Sequence, residues 1–279
     1  MKRLMGVTVF LGCAAVGFAQ TQILGVGNFI HVAADLDKAI AFYRDTVGLE
    51  MTGAPGPRAF SANPVVSNLY DAPGAQSRVA GFKIPGSADM SVEIVELQGL
   101  NATPVRRRLS DVGAITLTLF VKDFAASTAR LKGADVVNSS ASEMVVRDPD
   151  GIYVRVKHAE AAGAGFGVTV ADLAKTLKFY REVLGFEVKP GSANTLLVPG
   201  SAFPVEFTEV KGGNPVRAAI HDPGSGVLRL RVKDADAALA ALKEAGAPIV
   251  SVGGVPVAVG RGKAAIVREM NNLFLQTLQ

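Results

Sequence analysis

The residues best suited to catalysis are scarce in this chain. It has 279 residues, with three histidines and one cysteine. Cys13 lies in a segment that we expect to be removed, so we expect neither a disulfide nor thiolate chemistry afterwards. Nucleophilic catalysis needs a nucleophile, a base and a group that orients the base. Without a cysteine or a pair of histidines, the sequence supports no Cys/His or Ser/His/Asp arrangement, and we expect His158 and His221 to face solvent.

The N-terminal segment has the pattern of an export signal. Lys2 and Arg3 precede an apolar run over residues 4–16, and small residues lead to Ala19. Such a run is too short for a stable transmembrane helix. We therefore predict a signal peptide at 1–19 and a secreted or periplasmic protein that does not contact the membrane after cleavage. A retained anchor and a lipoprotein cleavage site at the single cysteine are the alternatives.

The composition indicates a folded protein with enough chain for two domains. Hydrophobic residues make up 49% of the sequence and charged residues 19%, which argues against disorder. Without the signal the chain carries 27 basic and 25 acidic residues. A nearly neutral chain lacks the basic stripe that non-specific nucleic-acid binding needs, so we expect no nucleic-acid partner.

An internal repeat is the most informative feature of the sequence. Residues 35–50 recur at 172–187, an offset of 137 positions. Each copy begins with an aspartate that can cap a helix and continues with apolar residues at helical spacing. Gly48 and Gly185 follow where a helix would end in a left-handed residue. The chain is therefore a tandem duplication.

Each copy also contains a second, weaker unit of a strand followed by a helix. Strands predicted at 115–121 and 227–232 lead through Lys-Asp pairs into helices. Four modules of strand, helix and further strands thus follow one another, separated two and two by residues 157–163. We predict domains at 23–158 and 164–279, with two modules in each.

These motifs resemble the vicinal oxygen chelate superfamily, which includes glyoxalase I, extradiol dioxygenases, an epimerase and the fosfomycin and bleomycin resistance proteins. The resemblance rests on a strand, the segment 35–45, Gly48-Leu49 and a later Asp148-Pro149-Asp150-Gly151 turn before a last strand. It implies an α+β fold of four βαβββ modules, which form two glyoxalase-like domains with curled mixed sheets around clefts.

The resemblance also implies where metal ligands would lie in the metal-dependent members. One position is on the first strand of each module and the other is on the last strand. The corresponding residues here are Asn28, Thr116, Gly165 and Val227 on first strands, and Glu93, Arg155, Glu206 and Gln276 on last strands. Transition metals generally need three or more imidazole or carboxylate ligands, and no pairing of these modules provides them. We therefore expect no metal and no cofactor.

His31 lies on the first strand but three residues from Asn28. Side chains alternate along a strand, so this odd offset places His31 on the face opposite the cleft. A bulge or a shifted register is the alternative.

The same alternation predicts which side chains line the clefts. The predicted ligand-binding residues are Asn28, Glu93, Thr116, Tyr153, Arg155, Glu206, Arg229 and Gln276. Two arginines, Arg229 and Arg231, in one cleft suggest an anionic ligand, whereas pairing of Glu206 with an arginine is the structural alternative.

The first half is 26 residues longer than the second between its two capping aspartates. Much of the surplus falls in residues 52–81, which combine Gly, Pro, Ala and Ser with apolar side chains. Long loops of this kind are typical of lids or binding loops, and an ordered edge decoration is the alternative.

The predicted function is an exported glyoxalase-like protein that binds a small organic molecule in a metal-free cleft, similar to the bleomycin-resistance branch. The alternative is a metal-dependent lyase, isomerase or dioxygenase with a non-standard site, in which Glu93 would be a ligand and an acid or base. Whether the chain is an enzyme, and whether it is a monomer or a homodimer, stays open at this point.

Overall fold

The computed structural model describes residues 21–53, 59–213 and 215–279. The predicted signal peptide at 1–19 and its cysteine lie outside these residues, as do residues 54–58 near the start of the predicted lid. Among the described residues, no helix is long and apolar enough to cross a bilayer.

Five α-helices and seventeen strands form the described part of the chain. The helices are α1 Leu36–Ala41, which continues as a π-helical turn Phe42–Thr46, α2 Pro64–Leu69, α3 Phe124–Arg130, α4 Leu173–Glu182 and α5 Ala235–Glu244. The strands of the first two modules are β1 Ile23–Ala33, β2 Glu50–Thr52, β3 Ser61–Ala62, β4 Gln76–Lys83, β5 Ser91–Gln98, β6 Ile115–Val121, β7 Asp135–Ser139, β8 Glu143–Arg147 and β9 Tyr153–His158. Those of the last two are β10 Gly163–Val170, β11 Glu187–Val188, β12 Thr195–Leu197, β13 Pro204–Glu209, β14 Gly226–Val232, β15 Val257–Val259, β16 Gly262–Arg268 and β17 Phe274–Leu278.

The helix boundaries predicted from the repeat are confirmed. Asp35 accepts hydrogen bonds from the backbone N–H groups of Asp37 and Lys38 at the start of α1. Asp172 caps α4 in the same way. Gly48 and Gly185 have φ values of 86° and 70°, a conformation in which a side chain is disfavoured.

Two mixed sheets carry the fold, as the resemblance implied. The nine-stranded sheet has the order β15-β16-β17-β14-β1-β5-β4-β2, with β3 beside β4, and the eight-stranded sheet has the order β11-β12-β13-β10-β6-β9-β8-β7. The first strands of the modules pair antiparallel, β1 with β14 and β6 with β10. The nine-stranded sheet thus combines the first and fourth modules, and the eight-stranded sheet the second and third.

This pairing corrects our expectation that consecutive modules share a cleft. Residues 159–162 connect β9 to β10, and a four-residue connection reaches about 14 Å at most. That reach is enough to pass the one intervening strand, β6, because two strand spacings measure about 10 Å. The second and third modules therefore stay in one sheet, whereas residues 99–114 are long enough to lead from one sheet to the other.

The main hydrophobic core lies between the two sheets, with the helices packed at its sides. It includes β1, β6, β10 and β14 side chains, and the rings of Phe29 and Phe166 lie 5.5 Å apart. Tyr43 of the π-helical turn and its repeat partner Tyr180 are fully buried in this core. The apolar face of each sheet is therefore turned inward, and the opposite, concave face carries the polar positions.

Candidate functional site

The concave face of the nine-stranded sheet brings together four of the predicted binding residues. The Glu93 carboxylate accepts a hydrogen bond from Asn28 Nδ2 at 3.0 Å and forms an ion pair with Arg229 Nη2 at 3.3 Å. Arg229 Nε donates to Gln276 Oε1 at 3.0 Å. Asn28 and Glu93 belong to the first module, whereas Arg229 and Gln276 belong to the fourth.

Helix α2 covers this polar group. Asn63 caps the helix and Pro64 begins it, while Leu69 and Tyr70 are buried against the concave face. They join a second hydrophobic cluster with β1, β14, β16 and β17 side chains. Burial first, and then the charge of Glu93, raise the pKa of Tyr70 well above its ordinary value, although Arg229 opposes this. The described part of the predicted lid therefore fills the first cleft.

The concave face of the eight-stranded sheet is more open. Arg155 Nη1 donates to Glu206 Oε2 at 2.9 Å, and the Arg155 Nε atom lies 3.6 Å from Glu143. The Glu206 side chain is 40% exposed, against 27% for Glu93 in the other cleft. Glu206 is thus paired with Arg155, and not with Arg229 or Arg231, the arginines that the sequence placed in its cleft; these pair with Glu93 and Asp89.

A pocket of about 240 Å³ lies beside this ion pair. Its polar lining includes Thr118, Arg155, Lys157, Lys189, Asn194 and Glu206. The two lysines are exposed and form no ion pair within the described residues. The pocket, which we call the basic cleft, thus holds three cations and one carboxylate.

The structure does not bring every predicted binding residue to this pocket. Tyr153 is buried and its hydroxyl donates to the Arg107 carbonyl at 2.7 Å, so it holds a loop in place. Thr116 is also buried, and Thr118 lines the pocket instead. Sequence reasoning missed Lys189 and Asn194, because they lie between the short strands β11 and β12, where no periodic pattern marks a side chain's direction.

The donor groups in both clefts do not fit a transition metal. Each cleft has one carboxylate at the positions that the resemblance assigns to ligands, and in each the carboxylate is paired with a guanidinium. A guanidinium repels a cation and occupies the oxygen atoms that a metal would need. Of the other positions, Asn28 and Gln276 offer amides and Thr116 a hydroxyl, whereas Gly165 and Val227 have no ligand atom in their side chains.

A buried ionisable cluster lies on the opposite face of β1, where the alternation placed His31. The β1 strand has a bulge between Val26 and Phe29, yet His31 still faces away from Glu93. His31 Nδ1 is 3.3 Å from Asp148 Oδ2, and Nε2 is 3.2 Å from Asp150 Oδ2. These contacts are ionic rather than aligned hydrogen bonds, because neither ring nitrogen has a partner in hydrogen-bonding geometry.

Two carboxylates and an imidazole are also donor types that a metal can use. Here, however, the imidazole lies between the carboxylates, with one nitrogen facing each. Burial alone lowers the pKa of His31, but the charges of Asp148 and then Asp150 outweigh burial and raise it above 6.5. Burial raises the pKa of Asp148, while His31 opposes that rise. The geometry is that of an imidazolium between two acids.

The repeat has a related cluster without a histidine. Glu269 occupies the place of Asp148 and accepts hydrogen bonds from the backbone N–H groups of Asn271 and Leu273. Asn271 Nδ2 donates to Glu269 and to Thr176. Burial raises the pKa of Glu269 to about 7, although these hydrogen bonds favour the carboxylate.

Curled mixed sheets of βαβββ modules, each with a polar concave face, define the glyoxalase-like class. Residues 155–267 match the sequence model of the family described as the "Glyoxalase/Bleomycin resistance protein/Dioxygenase superfamily". This stretch of the chain is therefore similar in sequence to that superfamily. Among curated proteins, none matches the sequence.

Solved structures extend the fold over nearly the whole chain. Glyoxalase I from Zea mays is 16% identical and has a TM-score of 0.60, with 93% of this chain and 92% of that chain covered. A putative dioxygenase from Bacillus subtilis is 14% identical, with a TM-score of 0.58 and coverage of 92% and 86%. At these identities the likeness concerns the fold.

Proposed function

We propose that the protein binds a small organic anion in the basic cleft and does so without a metal. The observation that carries this proposal is the charge of the pocket. Lys157 and Lys189 line it and form no ion pair among the described residues, while Arg155 forms one with Glu206. An anion with hydrogen-bond acceptors complements such a group, and two further donors, Thr118 and Asn194, lie beside it.

The cleft of the nine-stranded sheet is covered by α2, which supports assigning the ligand to the basic cleft on the other sheet. Its Glu93–Arg229 pair lies behind helix α2, and Tyr70 occupies the space next to it. On the eight-stranded sheet, Leu109 of the segment before β6 packs near Val145 and Tyr153, whereas the Arg155–Glu206 pair lines a pocket. Binding in a metal-free cleft is the mode that the sequence resemblance to bleomycin-resistance-type proteins suggests.

A thermal-shift screen of small carboxylates, each paired with its neutral amide, tests the proposal. Benzoate and benzamide are one such pair. We expect stabilisation by at least one acid and not by its amide, and Lys189→Gln should weaken that acid's binding about fivefold. Lys211→Gln removes an exposed charge outside the pocket and is the matched control. The proposal is wrong if no acid is preferred to its amide.

The metal-dependent alternative predicts a different result. Elemental analysis of the purified protein would then find a stoichiometric transition metal, and Glu206→Gln or Glu93→Gln would remove it.

We also propose export, on the pattern of residues 1–19. Mass spectrometry of the N-terminus of the periplasmic or secreted protein tests cleavage after Ala19.

A further inference from the structure

We propose that the chain has a second small-molecule site, a pocket between the first and second modules that binds a carboxylate with one short apolar chain. The pocket has a volume of about 270 Å³. Its walls are mainly apolar and come from the residues between the π-helical turn and β2, the residues after β4, strands β6 and β9, helix α3 and the start of β10. They include Val47, Leu49, Ile84, Leu119, Val121 and Val156. We call it the intermodule pocket, and it does not depend on the function proposed above.

The internal repeat shows why this space is empty. Where β1 of the first module pairs with β14 of the fourth, Ile23 lies opposite Val232 and is buried. Where β10 pairs with β6, the last paired residues are Gly163 and Phe120, and Ala162 precedes Gly163. Ala162 lines the intermodule pocket. An isoleucine thus lies at the end of the β1–β14 pairing, whereas the residue just before the end of the β6–β10 pairing is an alanine, whose smaller side chain leaves space for the pocket.

Cations lie at the rim of this apolar space. Lys122 and Arg130 line the pocket and are exposed, and neither forms an ion pair within the described ranges. The Arg130 guanidinium lies over Gly48, with Nε 2.8 Å from the place that a Cβ atom on residue 48 would take. The neighbouring acid, Asp123, accepts a hydrogen bond from the Ala126 N–H. Asp123 does not itself line the pocket, so both charged side chains that line it, Lys122 and Arg130, are positive.

An apolar interior below a cationic rim fits an amphiphilic anion. Burial of the chain supplies the affinity, and the guanidinium orients the head group through charge-assisted hydrogen bonds. Pockets for drug-sized ligands measure roughly 300–1,000 Å³. The intermodule pocket is slightly smaller, which limits the ligand to one short chain or one ring.

Octanoate is the probe for this site, with 1-octanol as its uncharged partner. Calorimetry or ligand-observed NMR on the full mature chain measures both affinities. Ser127 lies on the pocket wall, and its hydroxyl donates to the carbonyl of Asp123, the residue that caps its own helix. Ser127→Leu fills the pocket and should weaken octanoate binding more than about tenfold. Ser127→Ala loses the same hydroxyl without filling the pocket and should bind as the wild type does.

A second pair of variants keeps the test valid even if Ser127→Leu does not fold. Arg130 is exposed, so Arg130→Gln should fold normally and weaken octanoate about fivefold while leaving 1-octanol unchanged. Lys132→Gln, two residues further on and outside the pocket, should leave both unchanged. Lys189→Gln should also have no effect, since Lys189 belongs to the basic cleft. The proposal would be overturned if the wild type did not bind octanoate. It would also be overturned if Ser127→Leu and Arg130→Gln both bound octanoate as tightly as the wild type.

Discussion

At the scale of single residues, the protonated side chain of His31 links two modules by contacting carboxylates of the other one. It belongs to the first module, whereas Asp148 and Asp150 lie in the turn between β8 and β9 of the second. Both acids also accept hydrogen bonds from neutral groups: Tyr43 donates to Asp148 at 3.0 Å, and the Ala34 N–H donates to Asp150 at 2.9 Å. A neutral imidazole has one N–H, so only the imidazolium presents a proton to both acids.

We therefore expect His31→Gln to destabilise the fold by about 3–5 kcal/mol, because it leaves two buried carboxylates without a cation. Since the folded pKa of His31 lies above 6.5, its stabilisation is complete below pH 6.5 and is lost as the pH rises through the folded value. Urea unfolding at several pH values measures this. The difference between wild type and variant should be largest in mild acid and should shrink towards alkaline pH.

The effect of Glu269 does not disturb this comparison. Its pKa is raised from 4.5 to about 7, so it too makes the fold less stable as the pH rises through that range. Both proteins contain Glu269, and its effect cancels in their difference. Tyr43→Phe is the control variant, since it removes one hydrogen bond to Asp148 and should cost about 1 kcal/mol. The imidazolium assignment would be contradicted if His31→Gln lost no more folding stability than Tyr43→Phe, or if its loss did not depend on pH.

The sequence could predict the direction of His31 but not its partners. Strand alternation needs only neighbouring positions, and it placed His31 correctly opposite the cleft. Asp148 and Asp150 were recognisable only as part of a good turn. Their contact with His31 spans more than a hundred residues, and no local spacing encodes it.

At the scale of secondary-structure elements, α2 is what distinguishes the two clefts. The composition of residues 52–81 predicted a covering segment, and its described part packs on the concave face as a helix. A helix of six residues is too short to be stable alone. Its buried contacts, chiefly those of Leu69 and Tyr70, must hold it in place.

Leu69→Ala should therefore cost about 2–5 kcal/mol of folding stability, because it leaves a cavity between α2 and the sheet. Thermal or urea unfolding measures the loss. Asn68→Ala changes the exposed neighbour in the same helix and should stay within about 0.5 kcal/mol of the wild type. If the two variants were equally stable, α2 would be a surface decoration rather than the filling of the first cleft.

At the scale of the whole molecule, the modules could be counted from the sequence, but their pairing could not. The capping aspartates and the terminal glycines specify each helix locally. Which first strands pair depends instead on the reach of the connections and on packing between the sheets. The two ion pairs show the consequence: Glu93 meets Arg229, and Glu206 meets Arg155. Each residue was predicted for a cleft, but each pair joins different halves of the sequence.

The same pairing predicts how the chain behaves when it is divided. A fragment of residues 21–158 contains β1 without β14 and β6 without β10, and a fragment of 163–279 contains the other two strands. Each half therefore exposes two first strands whose N–H and C=O groups have lost a partner strand, which favours association. We expect neither half alone to be a folded monomer, as judged by circular dichroism and solution mass.

Mixing the halves should restore a 1:1 complex that unfolds cooperatively, because each sheet needs strands from both. A fragment of residues 115–209 provides the control, since it is shorter than either half yet carries all eight strands of one sheet. It should retain more β-structure than the half at 21–158, even though its apolar face has lost the other sheet. A monomeric and cooperatively folded half would mean that consecutive modules can pair after all, and that the observed order of strands is not what stabilises this fold.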